Sequence, residues 1–252
     1  MGNNDLPLIS VITVSYNASD TIEQTILSVI NQSYANIEYI IIDGGSIDGT
    51  VDIINKYKNK ITYWISEPDK GIYDAMNKGL NIAKGDWCIF LGADDLFISK
   101  NTINEIINKF QETNKIYYGD VIMKSTGEKY RGRVNSAFQL CQMNICHQSI
   151  FYPQSIYKTK RYNTKYRIFA DYVYNMELYH DNPMSFEYIN KSISLFNDGG
   201  ISSTRDLLFD KERWSLIKTL FGKKTMIAVM LYENIQKYTP RFIKIIAHKL
   251  KK

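Results

Sequence analysis

Four β-branched, nearly uninterrupted apolar runs punctuate the first hundred residues, with segments of helical period between them. The runs are Leu8-Ile-Ser-Val-Ile-Thr-Val14, Glu38-Tyr-Ile-Ile-Ile-Asp43, Ile61-Thr-Tyr-Trp-Ile65 and Trp87-Cys-Ile-Phe-Leu91. Strands covered on one face alternate apolar and polar residues; strands covered on both do not. Between the runs, Ile22, Ile26, Val29 and Ile30 recur at helical spacing after Asp20, with Glu23 completing a capping box. Ile72, Met76, Leu80 and Ala83 repeat that spacing and end at Gly85, which reads as a helix stop. Strand and helix alternating in units this short build a parallel sheet covered on both faces. The expected class is α/β.

After residue 100 the alternation loosens. The pattern predicts a helix over 101–111, a strand over 115–123, a turn at Thr126-Gly127, a helix over 172–179 and a strand over 186–195. A Gly199-Gly200 loop follows. Two apolar-faced segments separated by Pro240 close the chain, one with Ile227, Met230, Leu231 and Ile235, the other with Phe242, Ile245, Ile246 and Leu250. The expected organisation is a domain over 1–222, divided near residue 100, and a basic amphipathic tail over 223–252.

Charge separates the same parts. Residues 223–252 carry seven Lys and one Arg against Glu233 alone, whereas the whole chain is only +5, so residues 1–222 are mildly acidic. The tail is the expected contact for an anionic surface, and a membrane leaflet is the favoured one. Stacking aromatics are not interleaved with cations on the strands, which argues against nucleic acid. Cys88, Cys141 and Cys146 make no CxxC pair, and no basic stretch with an apolar block opens the sequence. A reducing cytoplasm without disulfides or a signal peptide is expected.

Open parallel sheets bind ligands beyond the carboxyl ends of their strands. Ser15-Tyr16-Asn17 follows the first run here, Gly44-Gly45-Ser46-Ile47-Asp48-Gly49 follows Asp43, Glu67-Pro68-Asp69-Lys70-Gly71 follows the third, and Gly92-Ala93-Asp94-Asp95 follows the fourth. There is no GxGxxG or P-loop to hold phosphate on backbone amides. Carboxylates repel a diphosphate unless a divalent cation lies between them. The strand ends therefore suit a metal-bridged diphosphate, with Asp43 better matched to a base N–H or sugar hydroxyl.

These segments, together with Asp69-Lys-Gly-Ile-Tyr-Asp-Ala-Met-Asn77 and Phe90-Leu-Gly-Ala-Asp-Asp95, resemble the family-2 glycosyltransferases of GT-A fold, in the branch that builds bacterial surface polysaccharide and O-antigen. The resemblance implies a Rossmann-like, mostly parallel sheet and inverting transfer of a hexose-type sugar from a nucleotide diphosphate, UDP expected, to a polyprenyl-diphosphate-linked saccharide. It implies that Thr13, Ser15, Asn17, Asp43, Gly44 and Asp69 line the donor nucleotide's pocket. Asp95 would take Mn²⁺ or Mg²⁺, with Asp94 on the ribose or donor sugar or sharing the metal; many relatives have Asp where Gly92 stands. On the acceptor side Asp171 would be the general base, His147 an acceptor contact within Asn144-Ile-Cys-His147-Gln148-Ser149, and Gly199-Gly200 part of a loop closing over the diphosphate. The implied place is the cytoplasmic face of the inner membrane, with a homodimer left open. A nucleotidyltransferase or an inactive binding relative is the alternative, although Ser15-Tyr-Asn-Ala-Ser19 is no cation-bearing glycine loop.

Overall fold

In a computed structural model of the chain, which describes residues 6–200 and 204–238, the four runs become β1 (Ile9–Ser15), β2 (Ile37–Asp43), β3 (Tyr63–Ser66) and β4 (Trp87–Phe90). They pair in parallel in the order β3-β2-β1-β4, with Ser15 opposite Asp43 and Asp43 opposite Ser66. The uninterrupted apolar sequence has the reason inferred for it. Ile12 and Val14 of β1 join one core while Ile9 and Val11 join another on the opposite face. Helices α1 (Ile22–Ile30), α2 (Thr50–Lys56) and α4 (Thr102–Ile107) cover the second core. Helices α3 (Ile72–Ile82), α5 (Ala137–Leu140), α6 (Gln154–Tyr157) and α7 (Ala170–Asp181) cover the first.

The sheet continues past β4 through β8 (Ile150–Pro153), β6 (Ile116–Met123), β9 (Phe186–Phe196) and β5 (Leu96–Phe97), with β7 (Lys129–Tyr130) on β6. The β4–β8, β8–β6 and β9–β5 pairings are antiparallel, and β6–β9 is parallel. The architecture is thus mixed α/β with a mostly parallel first half.

Two local readings are corrected. The Asp20–Glu23 capping box does not form: α1 is capped by Thr21 without a side-chain bond, and Glu23 Oε1 accepts from Lys56 Nζ and Tyr57 OH, both at 2.7 Å, tying α1 to α2. Gly85 does not stop α3, which ends at Ile82 with Ala83 as its C-cap. Its role is close approach, because a Cβ there would stand 2.6 Å from Ser10 N and 2.7 Å from Trp87 O.

Helix α8 (Leu207–Tyr238) begins well before the expected tail and breaks at Gly222, whose φ of 83° suits glycine. Arg213 pairs with Glu233 across this break. A straight helix would hold residues 20 apart at about 30 Å, so the chain doubles back. Val229 is the fully buried residue of the second segment, and Tyr232 meets Phe138 at 5.7 Å between ring centroids. The expected stripe of Ile227, Met230, Leu231 and Ile235 is exposed. The segment with Phe242, Ile245, Ile246 and Leu250 lies outside the described residues.

Candidate active site

The carboxyl ends of β1 to β4 open into a cavity of about 890 Å³. Ser15, Asn17, Gly44, Asp69 and Asp94 line it, while Thr13, Asp43 and Asp95 do not. Thr13 is buried on β1 with its hydroxyl 3.2 Å from Tyr39 OH.

Asp43 ends β2 and organises the loop after it. Oδ1 accepts from Ser15 Oγ (2.8 Å) and Ser46 Oγ (2.6 Å). Oδ2 accepts from Ser66 Oγ (2.6 Å), Ser46 N (2.8 Å) and Gly45 N (3.2 Å). Burial pushes this carboxyl up, but the combined bonds from Ser46, Ser66 and Ser15 outweigh it and hold the group below the usual carboxylate range. Asn17 sits at φ 46°, a left-handed conformation Asn tolerates, and its Oδ1 accepts from Ile47 N at 3.0 Å. The loops after β1 and β2 are thereby locked together. Gly44 lies against Asp69, whose Oδ2 would stand 2.5 Å from a Cβ there and would have to swing aside.

The two adjacent carboxylates after β4 part company. Asp94 faces the cleft, and its Oδ2 accepts from Asn197 Nδ2 at 2.7 Å. Asp95 is buried, with Oδ2 accepting from Gln148 Nε2 (2.9 Å) and Gly92 N (3.1 Å), and Oδ1 from Asn197 N (2.9 Å). The side chain on the cleft wall is thus not that of Asp95, the residue expected to hold the metal. Gly92 fits this arrangement, since a Cβ there would approach Asp95 Oδ2 to 2.7 Å and Asp94 Oδ1 to 3.1 Å.

Burial, aided by the neighbouring Asp94 charge, pushes the Asp95 carboxyl up to about 6, against the pull of the Asn197 and Gln148 bonds. An unfolded chain releases this proton near pH 4. Between about pH 4 and 6 the folded protein keeps a proton that the unfolded chain has lost, so this group lowers stability as pH rises, with no further change above. Two units correspond to about 3 kcal/mol. Asp95→Asn is expected to lack that slope, so denaturant unfolding from pH 4.5 to 7 should show the variant gaining on the wild type up to pH 6.

Asp171 stands in the first turn of α7, almost fully buried. Oδ1 accepts from Tyr73 OH and Tyr172 N, both at 2.8 Å. Oδ2 accepts from Asn144 Nδ2 at 2.9 Å and lies 3.0 Å from His147 Nδ1. Asp171 and His147, read separately in the sequence, are neighbours. One 3₁₀ turn, His147–Ser149, links the carboxylates, as His147 meets Asp171 and Gln148 meets Asp95.

Gly199 and Gly200 follow β9 without left-handed backbone, and Gly200 approaches Asp94. Residues 201–203 of that loop lie outside the described residues. Sequence reasoning missed Asn197 as the residue clasping both Asp94 and Asp95, and it placed Tyr73 only in the core. Tyr73 is buried, yet its hydroxyl also donates to Ile168 O. Arg167 reaches the cleft from the loop before α7 and was not singled out.

The Glycosyl transferase family 2 profile matches residues 10–182. The chain belongs to this family. Its homologues are named glycosyltransferases, and family membership makes it an enzyme of that class. The PGL/p-HBAD biosynthesis glycosyltransferase of Mycobacterium bovis is 33% identical over 213 residues, covering 82% of each chain. The Escherichia coli UDP-Glc:alpha-D-GlcNAc-diphosphoundecaprenol beta-1,3-glucosyltransferase WfaP is 41% identical over 114 residues, 45% of each chain. Staphylococcus aureus TarS in complex with UDP shares the fold, with a TM-score of 0.67 at 18% identity over 91% of this chain and 72% of that one. The GT-A-like architecture expected of a family-2 glycosyltransferase is therefore present.

Proposed function

We propose that this family-2 enzyme moves a hexose-type sugar from a nucleotide diphosphate, UDP expected, to a hydroxyl of a lipid-linked saccharide with inversion. The observation that carries the reading is a strand-end cleft, walled by Asp94, tied through Asn197, Asp95 and the His147–Ser149 turn to a buried Asp171–His147 pair. The cleft's volume is in the range of nucleotide-sized ligand sites. WfaP, by its name, uses UDP-Glc and a diphosphoundecaprenol-linked sugar, and TarS carries UDP on this fold.

Ser15, Asn17 and Gly44 bind the nucleotide end, beside a loop whose shape Asp43 fixes; Asp69 stands against Gly44 on the same wall. Among the described residues no three His, Cys, Asp or Glu form a cage for a metal. None is required, because Mg²⁺ and its like take one or two carboxylates and complete their shell with phosphate oxygens and water. Asp94, on the cleft wall, would hold such a divalent cation, which would supply positive charge to offset that of the leaving diphosphate.

The acceptor's proton goes to the Asp171–His147 pair. Asp171 accepts from Asn144 Nδ2 and Tyr172 N and shares the Tyr73 hydroxyl proton with Ile168 O, which leaves Oδ2 facing His147 Nδ1. With the imidazole's proton on Nδ1 and donated to Asp171 Oδ2, Nε2 is left to take the hydroxyl proton. Asp171 then orients the ring and stabilises the charge it acquires, the logic of any carboxylate–histidine base.

No described helix is long and apolar enough to cross a membrane. The exposed Ile227, Met230, Leu231 and Ile235 beside Lys223, Lys224 and Lys237 support contact of this segment with an anionic leaflet, where each cation contributes about 1 kcal/mol. Packing on a second copy is the competing use of the same side chains.

Thermal unfolding with UDP, GDP, CDP and dTDP, each with and without Mn²⁺, tests the donor reading. One nucleotide, UDP by this account, is expected to stabilise by about 2.7 kcal/mol at 100 times its dissociation constant. The metal-dependent part of that gain should vanish in Asp94→Ala. Equal shifts with and without metal would refute the assignment of Asp94.

A further inference from the structure

Beside the donor cleft lies a second cavity of about 630 Å³. It is bounded by the turn into α3, the loop before α7 and the first residues of α8. The two cavities share Lys70, Gly71, Ile72 and Arg167, so these residues form the divide between them. Tyr73 lines only the second one, and its hydroxyl donates to Asp171. The second cavity therefore lies on the side of the proposed base.

Its charge is unevenly spent. Lys165 is paired with Glu212 at 2.9 Å, and Arg205 with Asp210 at 2.7 Å. Of the wall's carboxylates, Asp206 accepts from Ile168 N (2.9 Å), Phe209 N (3.1 Å) and Leu208 N (3.2 Å), which fixes the start of α8. Asp74 accepts from Lys70 N at 3.1 Å and has Lys78 Nζ 3.8 Å away. Lys70 Nζ and the Arg167 guanidinium, both on the divide, have no ion-pair or hydrogen-bond partner among the described residues. The rim beyond them is apolar: Leu207 is 76% exposed, with Leu208 beside it.

Two uncompensated cations, one of them an arginine able to grip two oxygens at once, beside the exposed Leu207 and the half-buried Leu208 match a phosphate group bearing a hydrocarbon chain. We propose that this cavity is the acceptor's anionic subsite: Arg167 and Lys70 hold the phosphates of a lipid diphosphate, and Leu207 and Leu208 receive the start of its chain. The acceptor sugar then lies across the divide, with its hydroxyl toward Asp171 and His147. This rests on the transferase reading above and adds the residues that select a phosphate-bearing acceptor over a free sugar.

Calorimetric titration of farnesyl diphosphate into the full chain, saturated beforehand with UDP and Mn²⁺, tests it. Binding is expected to persist with the donor cleft filled. It should weaken about tenfold or more in Arg167→Ala and in Lys70→Ala, the worth of one charge-assisted contact. Arg205→Ala, whose guanidinium is already neutralised, should leave it within about twofold. Inorganic pyrophosphate should bind through the same two residues but less tightly, for want of the chain. Displacement of UDP by farnesyl diphosphate, or variants that weaken UDP while sparing farnesyl diphosphate, would assign both cations to the donor and overturn the proposal. If UDP itself fails to bind, the donor reading has failed; the subsite then stands or falls on the same variants titrated with farnesyl diphosphate alone.

Discussion

His147→Ala is expected to lower kcat by about 10²–10⁴-fold, the usual worth of a positioned base, with little change in the midpoint of urea unfolding. Asp171→Asn should cost a comparable factor, because a neutral amide cannot stabilise the imidazolium and, with its NH2 turned to His147, fixes the opposite tautomer. The two residues act as one unit, so the double variant should lose no more than the worse single variant. Steady-state kinetics on the three proteins decides the matter. A large loss in Asp171→Asn beside a small one in His147→Ala would return the base to Asp171 alone. The separation from structural effects rests on geometry, since the Asn144, Tyr73 and Tyr172 donors around Asp171 are untouched by the change at His147.

The second large effect falls on stability. Asp43→Ala removes the acceptor for five donors, three of them serine hydroxyls and two of them backbone N–H groups. The hydroxyls can turn to other partners, but Gly45 N and Ser46 N are fixed by the loop. Each stranded, half-buried donor costs about 1 kcal/mol or more, so denaturant unfolding should show a loss of about 2 kcal/mol or more. Nucleotide affinity should fall with it, because Gly44 and Gly45 line the cleft that the loop shapes. A variant that loses nucleotide binding at unchanged stability would instead make Asp43 a direct contact to the base.

Much of the first half was legible because its signals are local. A β-branched run with no polar alternation suits a strand covered twice, as in β1, where Ile9, Val11, Ile12 and Val14 divide between two cores; β3, at the sheet edge, is only half-buried despite a similar run. What the sequence hid depends on distant partners. The four-residue β8 and two-residue β5 are set by antiparallel pairing with strands remote in the chain, so no run of their own marks them. Glu23 fits a capping box by spacing, yet Lys56 and Tyr57 of the next helix offer it better bonds.

The site divides in the same way. Asp43, Asp94, Asp95, His147 and Asp171 were visible as residues because each follows a strand or precedes a helical turn. Their division of labour was not, since nothing in Asp94-Asp95 tells which carboxyl turns inward to Gln148 and Asn197. Tyr73 lies on the apolar face of its helix, where period alone reads it as core; only the fold shows that its polar tip reaches Asp171. Arg167 has no periodic or motif signal, and Lys70, although inside the Asp69–Asn77 segment, has no role marked by its position there; both gain meaning from the cavities that meet between them.

The most direct test of the central claim is product analysis. The full chain would be incubated with Mn²⁺, a panel of UDP-, GDP-, CDP- and dTDP-sugars, and an alkyl-diphosphate-linked sugar acceptor, and the anomeric configuration of any new bond read by NMR. The account predicts transfer from one donor class, UDP foremost, with configuration opposite to that of the donor and loss of product when the metal is chelated. A product of retained configuration, or no transfer from any of the four classes, would contradict it.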